Sequence, residues 1–143
     1  MKQFIVLAAS LPLILIFLVQ FTLDQSNYVR MGLLEDMVNS AKEEAKQEGC
    51  FTEDIQQKLI HEICDTFDLE ESELEFSATD SPVYRVYEDN QRGLIYYRVS
   101  VPIGEIMAGK RLFGIRDEDN ELVYTLESYA ASELLESPGG ENE

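Results

Sequence analysis

The feature that most constrains this chain is its apolar run from Phe4 to Leu23, which reads FIVLAASLPLILIFLVQFTL. No charged residue lies between Lys2 and Asp24. A helix rises about 1.5 Å per residue, so a run of this length matches the roughly 30 Å hydrocarbon core of a bilayer. The sequence therefore predicts a transmembrane anchor over residues 1–23.

A cleaved secretory signal is the main alternative, because a basic start followed by an apolar run is common to both. A signal peptide has a shorter apolar core and small residues one and three places before the cut, whereas this run ends with LVQFTL. The small residues Ala8, Ala9 and Ser10 lie in the middle of the run. These features favour an uncleaved anchor, with cleavage near Asp24 as the next alternative.

The charges at the two ends of the run predict its orientation. Lys2 precedes it, whereas Asp24, Arg30, Glu35 and Asp36 follow it. Because basic residues tend to stay on the cytoplasmic side, we expect a cytoplasmic N-terminus. The predicted protein is a single-pass protein of the cell membrane, and its C-terminal domain is extracytoplasmic.

The chain after the anchor is strongly acidic. All 28 acidic residues and 10 of the 11 basic residues follow Leu23, and the roughly 120 residues that remain suffice for one domain. Such a charge argues against nucleic-acid binding by phosphate neutralisation and predicts repulsion from anionic lipid headgroups. It is typical of a domain kept soluble by its charge, and it also suits cation binding or a basic protein partner.

Helical spacing continues beyond the apolar run. Gly32 is its only weak point, and Gly49 supplies a C-terminal stop. The pattern predicts one helix from Phe4 to Glu48, apolar in its first half and amphipathic over residues 24–48. We expect the apolar stripe of the second half to pack against the rest of the chain through Tyr28, Met31, Leu34, Val38, Ala41 and Ala45.

The remaining residues predict a second helix and a small sheet. Thr52 is placed to cap a helix whose apolar face contains Ile55, Leu59 and Ile63. Alternating or β-rich patterns predict strands at 74–78, 83–87, 94–101 and 122–129, the second and third forming an antiparallel hairpin. We expect Pro102 to end the third strand and a short helix to follow at 105–108.

The resulting fold class is α+β: a long N-terminal helix, a second helix and an antiparallel sheet of three to four strands. The predicted domains are the anchor at 1–23, an extracytoplasmic α+β domain at 24–131 and a flexible acidic tail at 132–143. In this arrangement the sheet covers the amphipathic half of the long helix.

No catalytic, cofactor or metal site is predicted. His61 is the only histidine, and two cysteines with one histidine at these spacings match no usual zinc site. If Thr52–Asp65 is helical, Cys64 lies too far from Cys50 for a simple disulfide. We therefore expect two free thiols or a bond between subunits, with Cys64 buried. Residues 117–121 depart from a calcium loop, and a solvated turn is the better interpretation.

The arrangement of an apolar helix, an amphipathic continuation and a small antiparallel sheet resembles the type IV pilins and pseudopilins. More narrowly, the chain resembles the minor pseudopilins associated with tight-adherence (Tad) pilus loci of Gram-positive bacteria. The resemblance implies a pilin-like fold in which the apolar half-helix anchors the protein and bundles with other subunits. The residues of that assembly surface would be Phe4, Leu7, Leu11, Leu15, Leu18 and Phe21.

The chain departs from the family at its start. The processing signature of such proteins is a glycine before the cut and a glutamate five residues after it, and neither occurs in the opening MKQF. The resemblance therefore implies a minor, initiating or membrane-resident component of a pilus or secretion assembly. Its partners would be the membrane and other pilus or secretion subunits, including copies of itself. The alternative is a single-pass adaptor or regulator whose acidic domain binds a protein partner.

Overall fold

The structure, a computed structural model of the chain, describes residues 1–85 and 93–135. It confirms the α+β class, with two helices and a three-stranded antiparallel sheet of order β1-β2-β3. The elements are α1 (Lys2–Glu48), α2 (Glu53–Phe67), β1 (Glu75–Ala78), β2 (Leu94–Glu105) and β3 (Glu121–Ala131). Short 3-10 helices lie at Glu71–Glu73, Lys110–Leu112 and Glu118–Asn120.

The chain divides into two compact units. The first unit comprises Met1–Leu33 and Pro102–Tyr124, and the second comprises Leu34–Val101 and Thr125–Glu143. The elements α1, β2 and β3 each contribute residues to both units.

The second unit has an apolar core centred on Phe51. Its ring is fully buried and lies 5.8 Å from the ring of Phe76 and 5.7 Å from that of Tyr97, measured between centroids. The other large buried side chains of this core come from α1, α2 and β2: Leu34, Val38, Ile55, Leu59, Ile63, Ile95, Val99 and Val101. The apolar stripes read from the sequence thus pack on one another, as expected from their periodicity.

The predicted C-terminal end of α1 and the predicted N-terminal cap of α2 are confirmed. α1 ends at Glu48, and Gly49 follows with a φ of 79°, where a side chain would also meet Leu134 and the carbonyl of Val83. Thr52 caps α2, its hydroxyl accepting a hydrogen bond from the N–H of Ile55. Glycine's freedom in the left-handed region and the hydroxyl's capacity to accept explain both ends.

The predicted hairpin between residues 83–87 and β2 is wrong within the described residues. β2 lies between β1 and β3, so both of its edges are occupied. β1 pairs with it antiparallel, from Glu75 opposite Ser100 to Ala78 opposite Tyr97. Arg85 instead forms an isolated parallel bridge with Leu135, while residues 86 and 87 lie outside the described part.

Two further predictions are wrong just beyond this pairing. β2 does not end at Pro102 but continues to Glu105. β1 reaches only as far as Ser100, so Pro102 needs no partner on that side, and proline is tolerated where a strand lacks one neighbour. The expected helix at 105–108 is absent, because side chains from elsewhere hold residues 106–108 in a turn, as described below.

The packed chain also continues past β3 into the predicted tail. Ser132 is buried, and its N–H donates to the carbonyl of Gly93. Glu133 pairs with Lys46 at 3.0 Å. The predicted tail begins within this packed segment, and residues 136–143 lie outside the described part.

Truncating the central ring should destabilise the second unit. We expect Phe51→Ala to lower the free energy of unfolding by about 3–5 kcal/mol, because it empties a fully buried site between two other rings. Urea denaturation of the full chain in detergent, followed by circular dichroism, would measure the change.

Phe113→Ala is the matched control for this measurement. Phe113 is 55% exposed, so the same truncation should change stability by no more than about 0.5 kcal/mol. Equal losses in the two variants would contradict the assignment of Phe51 to the centre of the core.

Candidate functional site

The first half of α1 presents a long apolar surface that no described residue covers. It contains an 18-residue window long and apolar enough to cross a membrane, and none of that window is buried. Each residue of the predicted assembly surface is more than half exposed: Phe4, Leu7, Leu11, Leu15, Leu18 and Phe21. An apolar surface of this extent is stable only when lipid or other protein covers it.

The polar side chains within the apolar run are all hydrogen-bonded. The hydroxyl of Ser10 donates to the carbonyl of Leu7 at 3.1 Å, and that of Thr22 donates to the carbonyl of Leu18 at 3.0 Å. The third polar side chain, Gln20, bonds to a distant part of the chain. Such internal bonding removes much of the cost of placing hydroxyl and amide groups in an apolar medium.

Gln20 joins α1 to the segment that follows β2. Its Nε2 donates to the carbonyl of Ile106 at 3.1 Å and to the carboxylate of Asp24 at 2.9 Å. Its Oε1 accepts from the N–H of Ala108 at 2.9 Å. Both ends of this amide are therefore used, and they fix the backbone of residues 106–108 against the apolar run.

Two more polar residues of α1 continue this contact along β2. Asn27, which is buried, donates to the carbonyl of Glu105 at 2.8 Å, and Arg30 donates to that of Ile103 at 2.5 Å. Carbonyls two residues apart point to the same edge of a strand. A Cβ on Gly104 would lie 2.3 Å from the Oδ1 of Asn27, so the close approach requires glycine. We refer to Gln20, Asn27 and Arg30 as the polar ladder.

A second amide completes the turn at 106–108. Asn120 is 2% exposed; its Oδ1 accepts from the N–H of Met107 at 2.9 Å and its Nδ2 donates to the carbonyl of Met107 at 3.0 Å. Its own carbonyl accepts from the N–H of Ile106 at 2.9 Å. Together Gln20 and Asn120, called the amide clamp below, satisfy five backbone groups of this turn.

The polar ladder and the predicted assembly surface lie on opposite sides of α1. At 100° per residue, Leu11, Leu15 and Leu18 point about 140–180° away from Gln20. The partly buried residues Ile16 and Leu23 lie on the Gln20 side. Residues 103–108 thus contact α1 on the side of the polar ladder, and the leucine side is exposed.

The predicted packing stripe of the second half needs one correction. Leu34, Val38 and Ala41 are buried and Met31 is partly buried, but Tyr28 is 68% exposed. The residue buried at this level is its neighbour, Asn27.

The polar residues of the site were missed by the sequence prediction. Asn27 precedes Leu34 and Ala41 at intervals of seven, which could have revealed it, but a search for apolar periodicity passes over an asparagine. Asn120 is separated from α1 by most of the chain, and no local signal distinguishes it. The only local hint at the contact is Gly104, a glycine inside a strand.

The cysteines and the histidine do not form a reactive group. Both cysteines are free, but Cys50 rather than Cys64 is the buried one, contrary to prediction. Burial, followed by nearby carboxylates, raises the pKa of both thiols, so they stay protonated at neutral pH. His61 lies on the surface, 3.4 Å from Asp65. Within residues 1–85 and 93–135, no cluster of three or more potential ligands could hold a metal ion.

Comparison of the chain with protein-family models, with curated proteins and with solved structures finds no match. Two features of the molecule itself bear on its function. One is the bare apolar side of α1, and the other is the polar ladder that fixes the opposite side.

The contact between Asn27 and Gly104 can be tested by a double-mutant cycle. We expect Gly104→Ala to destabilise the full chain by about 1–3 kcal/mol, because the new methyl group collides with the Asn27 side chain. Asn27→Ala should cost a similar amount, about 1–3 kcal/mol, because it leaves the Glu105 carbonyl unpaired. Urea denaturation in detergent measures both.

The double variant, Asn27→Ala with Gly104→Ala, tests whether the two residues are in contact. Once Asn27 is alanine, the methyl group at residue 104 has room, so the double variant should be about as stable as Asn27→Ala alone. Strictly additive losses would show that the two residues do not touch.

Proposed function

We propose that this protein is a non-enzymatic, membrane-anchored subunit that assembles through the apolar first half of α1. Its closest functional description is a minor pseudopilin of a Tad or type IV pilus, or of a related secretion assembly. The observation that carries the proposal is the leucine side of α1, exposed over residues that run the length of a bilayer. The architecture described above agrees with this class of protein.

The polar ladder supports a retained anchor over a cleaved signal. A cut near Asp24 would remove Gln20 and with it the bonds to Ile106 and Ala108. The carbonyl of Ile106 and the N–H of Ala108 would then lack a hydrogen-bond partner. Each unpaired group would cost about 1–3 kcal/mol of stability where it stays buried. A segment destined for removal has no reason to be tied to the mature chain in this way.

The arrangement around α1 also suits helix-to-helix assembly. Helices in lipid associate through close van der Waals contact, since burial from lipid gives little hydrophobic gain. Such contact needs one uncovered side of the helix. Leu11, Leu15 and Leu18 provide it, while residues 106–108 contact the side of Gln20.

In this proposal the membrane orientation follows the charges at the ends of the run. Lys2 remains in the cytoplasm, and the acidic residues after Asp24 lie outside. Genes for a secretion ATPase and a polytopic platform protein beside this one would support the pilus assignment. A single-pass adaptor would require neither these neighbours nor contact between anchors.

Membrane anchoring is tested by placing charge in the run. Two lysines, Leu11→Lys with Leu15→Lys, cost about 5–7 kcal/mol at the centre of a span. We expect this variant to pass into the soluble fraction on alkaline extraction of membranes. The control carries Gln25→Lys and Ser26→Lys, two lysines on the same helix beyond the run, and should stay in the membrane. Equal retention of both variants would argue against a spanning helix.

Assembly is tested by cysteine crosslinking in native membranes, in a chain with Cys50→Ala and Cys64→Ala. We expect Leu11→Cys, Leu15→Cys and Leu18→Cys to give crosslinked multimers, because they lie on the free side of α1. Ile16→Cys is the matched control, since it is one residue from Leu15 but about 100° around the helix. It should give far less product.

The crosslinking result separates the two candidate functions. Monomer at every position would leave an anchored domain without contact between anchors, as in the adaptor. Equal crosslinking at all four positions would indicate random collision in the membrane and would likewise count against a specific assembly surface.

A further inference from the structure

We propose that the turn at Ile106–Ala108 is seated in the interfacial layer of the bilayer, with the Ile106 side chain among lipid. The inference rests on the proposed function, because it takes the first half of α1 to span the membrane. It adds a second membrane contact, made by the domain that follows the anchor. Its partner is the lipid surface itself.

The turn meets α1 within the apolar run. Gln20 binds the carbonyl of Ile106 and the N–H of Ala108, and it precedes Leu23, the end of the apolar run, by three residues. Three residues correspond to about 4.5 Å along the helix axis. The backbone of the turn therefore contacts the helix inside the run, and lipid that covers the run also reaches the turn.

The backbone groups of the turn form hydrogen bonds within the protein. Polar groups that face lipid cannot bond to water and need partners within the protein. The amide clamp supplies those partners to the N–H and carbonyl of Ile106, both groups of Met107 and the N–H of Ala108. A surface turn in water has no such requirement.

The turn presents apolar side chains outward. Ile106 is 51% exposed and Met107 is partly exposed. An isolated exposed isoleucine is ordinary on a soluble surface, but this one adjoins a span whose own apolar side chains are equally exposed. Lipid that covers the span can also cover Ile106. The turn is already fixed against α1, so this contact requires no further ordering of the chain.

The charge of residues 106–116 is compatible with contact between this segment and lipid headgroups. The acidic domain as a whole is expected to be repelled by lipid headgroups, yet residues 106–116 contain no acidic residue. They carry Lys110, Arg111 and Arg116. Lys110 is paired with Glu105 at 2.5 Å and with Asp117 at 2.8 Å, and Arg116 is paired with Glu118 and Asp119. Arg111 is exposed near the carboxylate of Asp117, and it is the cation that would meet a headgroup phosphate.

The chain contains no tryptophan, so single tryptophan variants report depth in the membrane directly. The full chain with Ile106→Trp is reconstituted in phosphatidylcholine vesicles with brominated acyl chains. We expect loss of its fluorescence relative to vesicles without bromine, together with protection from aqueous acrylamide. Tyr28→Trp is the control, because Tyr28 is exposed on α1 five residues beyond the run. It should show the reverse pattern.

A third variant, Leu15→Trp, separates the inference from its premise. If brominated lipid quenches Leu15→Trp but Ile106→Trp behaves like Tyr28→Trp, the membrane-spanning helix is supported. The proposal that the turn lies in the interfacial layer is then wrong. If Leu15→Trp is not quenched, the result contradicts both the membrane-spanning helix and the location of the turn in the interfacial layer. Quenching at residues 15 and 106, but not at 28, is the result that the inference requires.

Discussion

The arrangement of the first unit depends on satisfying the backbone of β2 where this strand runs past the end of β1. β1 pairs with β2 only as far as Ser100, and β2 continues for five more residues. Buried carbonyls left without donors there would each cost about 1–3 kcal/mol. The polar ladder supplies donors to Ile103, Glu105 and Ile106, which explains why a helix otherwise built for apolar contact carries polar residues on one side.

Most of the fold could be predicted because its elements have strong periods and clear ends. α1, α2 and the strands were recognisable from apolar spacing, from Gly49 and from Thr52. The failures arose where a distant partner decides the outcome. Residues 83–85 have a strand-like sequence, but β1 and β3 already occupy both edges of β2. Nothing in residues 105–108 signals that amides from Gln20 and Asn120 will hold them in a turn.

The candidate site also has one part that the sequence predicts and one part that it does not. The apolar side of α1 follows directly from composition, since a long uncharged run needs lipid or protein around it. The polar ladder does not, because its partners are backbone groups, which carry no residue signature. Asn27 was passed over in favour of Tyr28, as a search for apolar contacts selects the tyrosine. The structure buries the asparagine, whose amide donates to the Glu105 carbonyl.

The ladder also bears on how an assembling anchor would gain specificity. A smooth apolar helix can rotate about its axis and present any side to a neighbour, so contacts in lipid alone select no particular face. Four hydrogen bonds from the three side chains of the ladder, each contributing about 0.5–1.5 kcal/mol, fix the rotation of residues 20–30 relative to residues 103–108. The leucine side is then the side that remains available. Fixing an interface before association reduces the ordering cost of binding, so residues that never touch a neighbour would set which surface the neighbour meets.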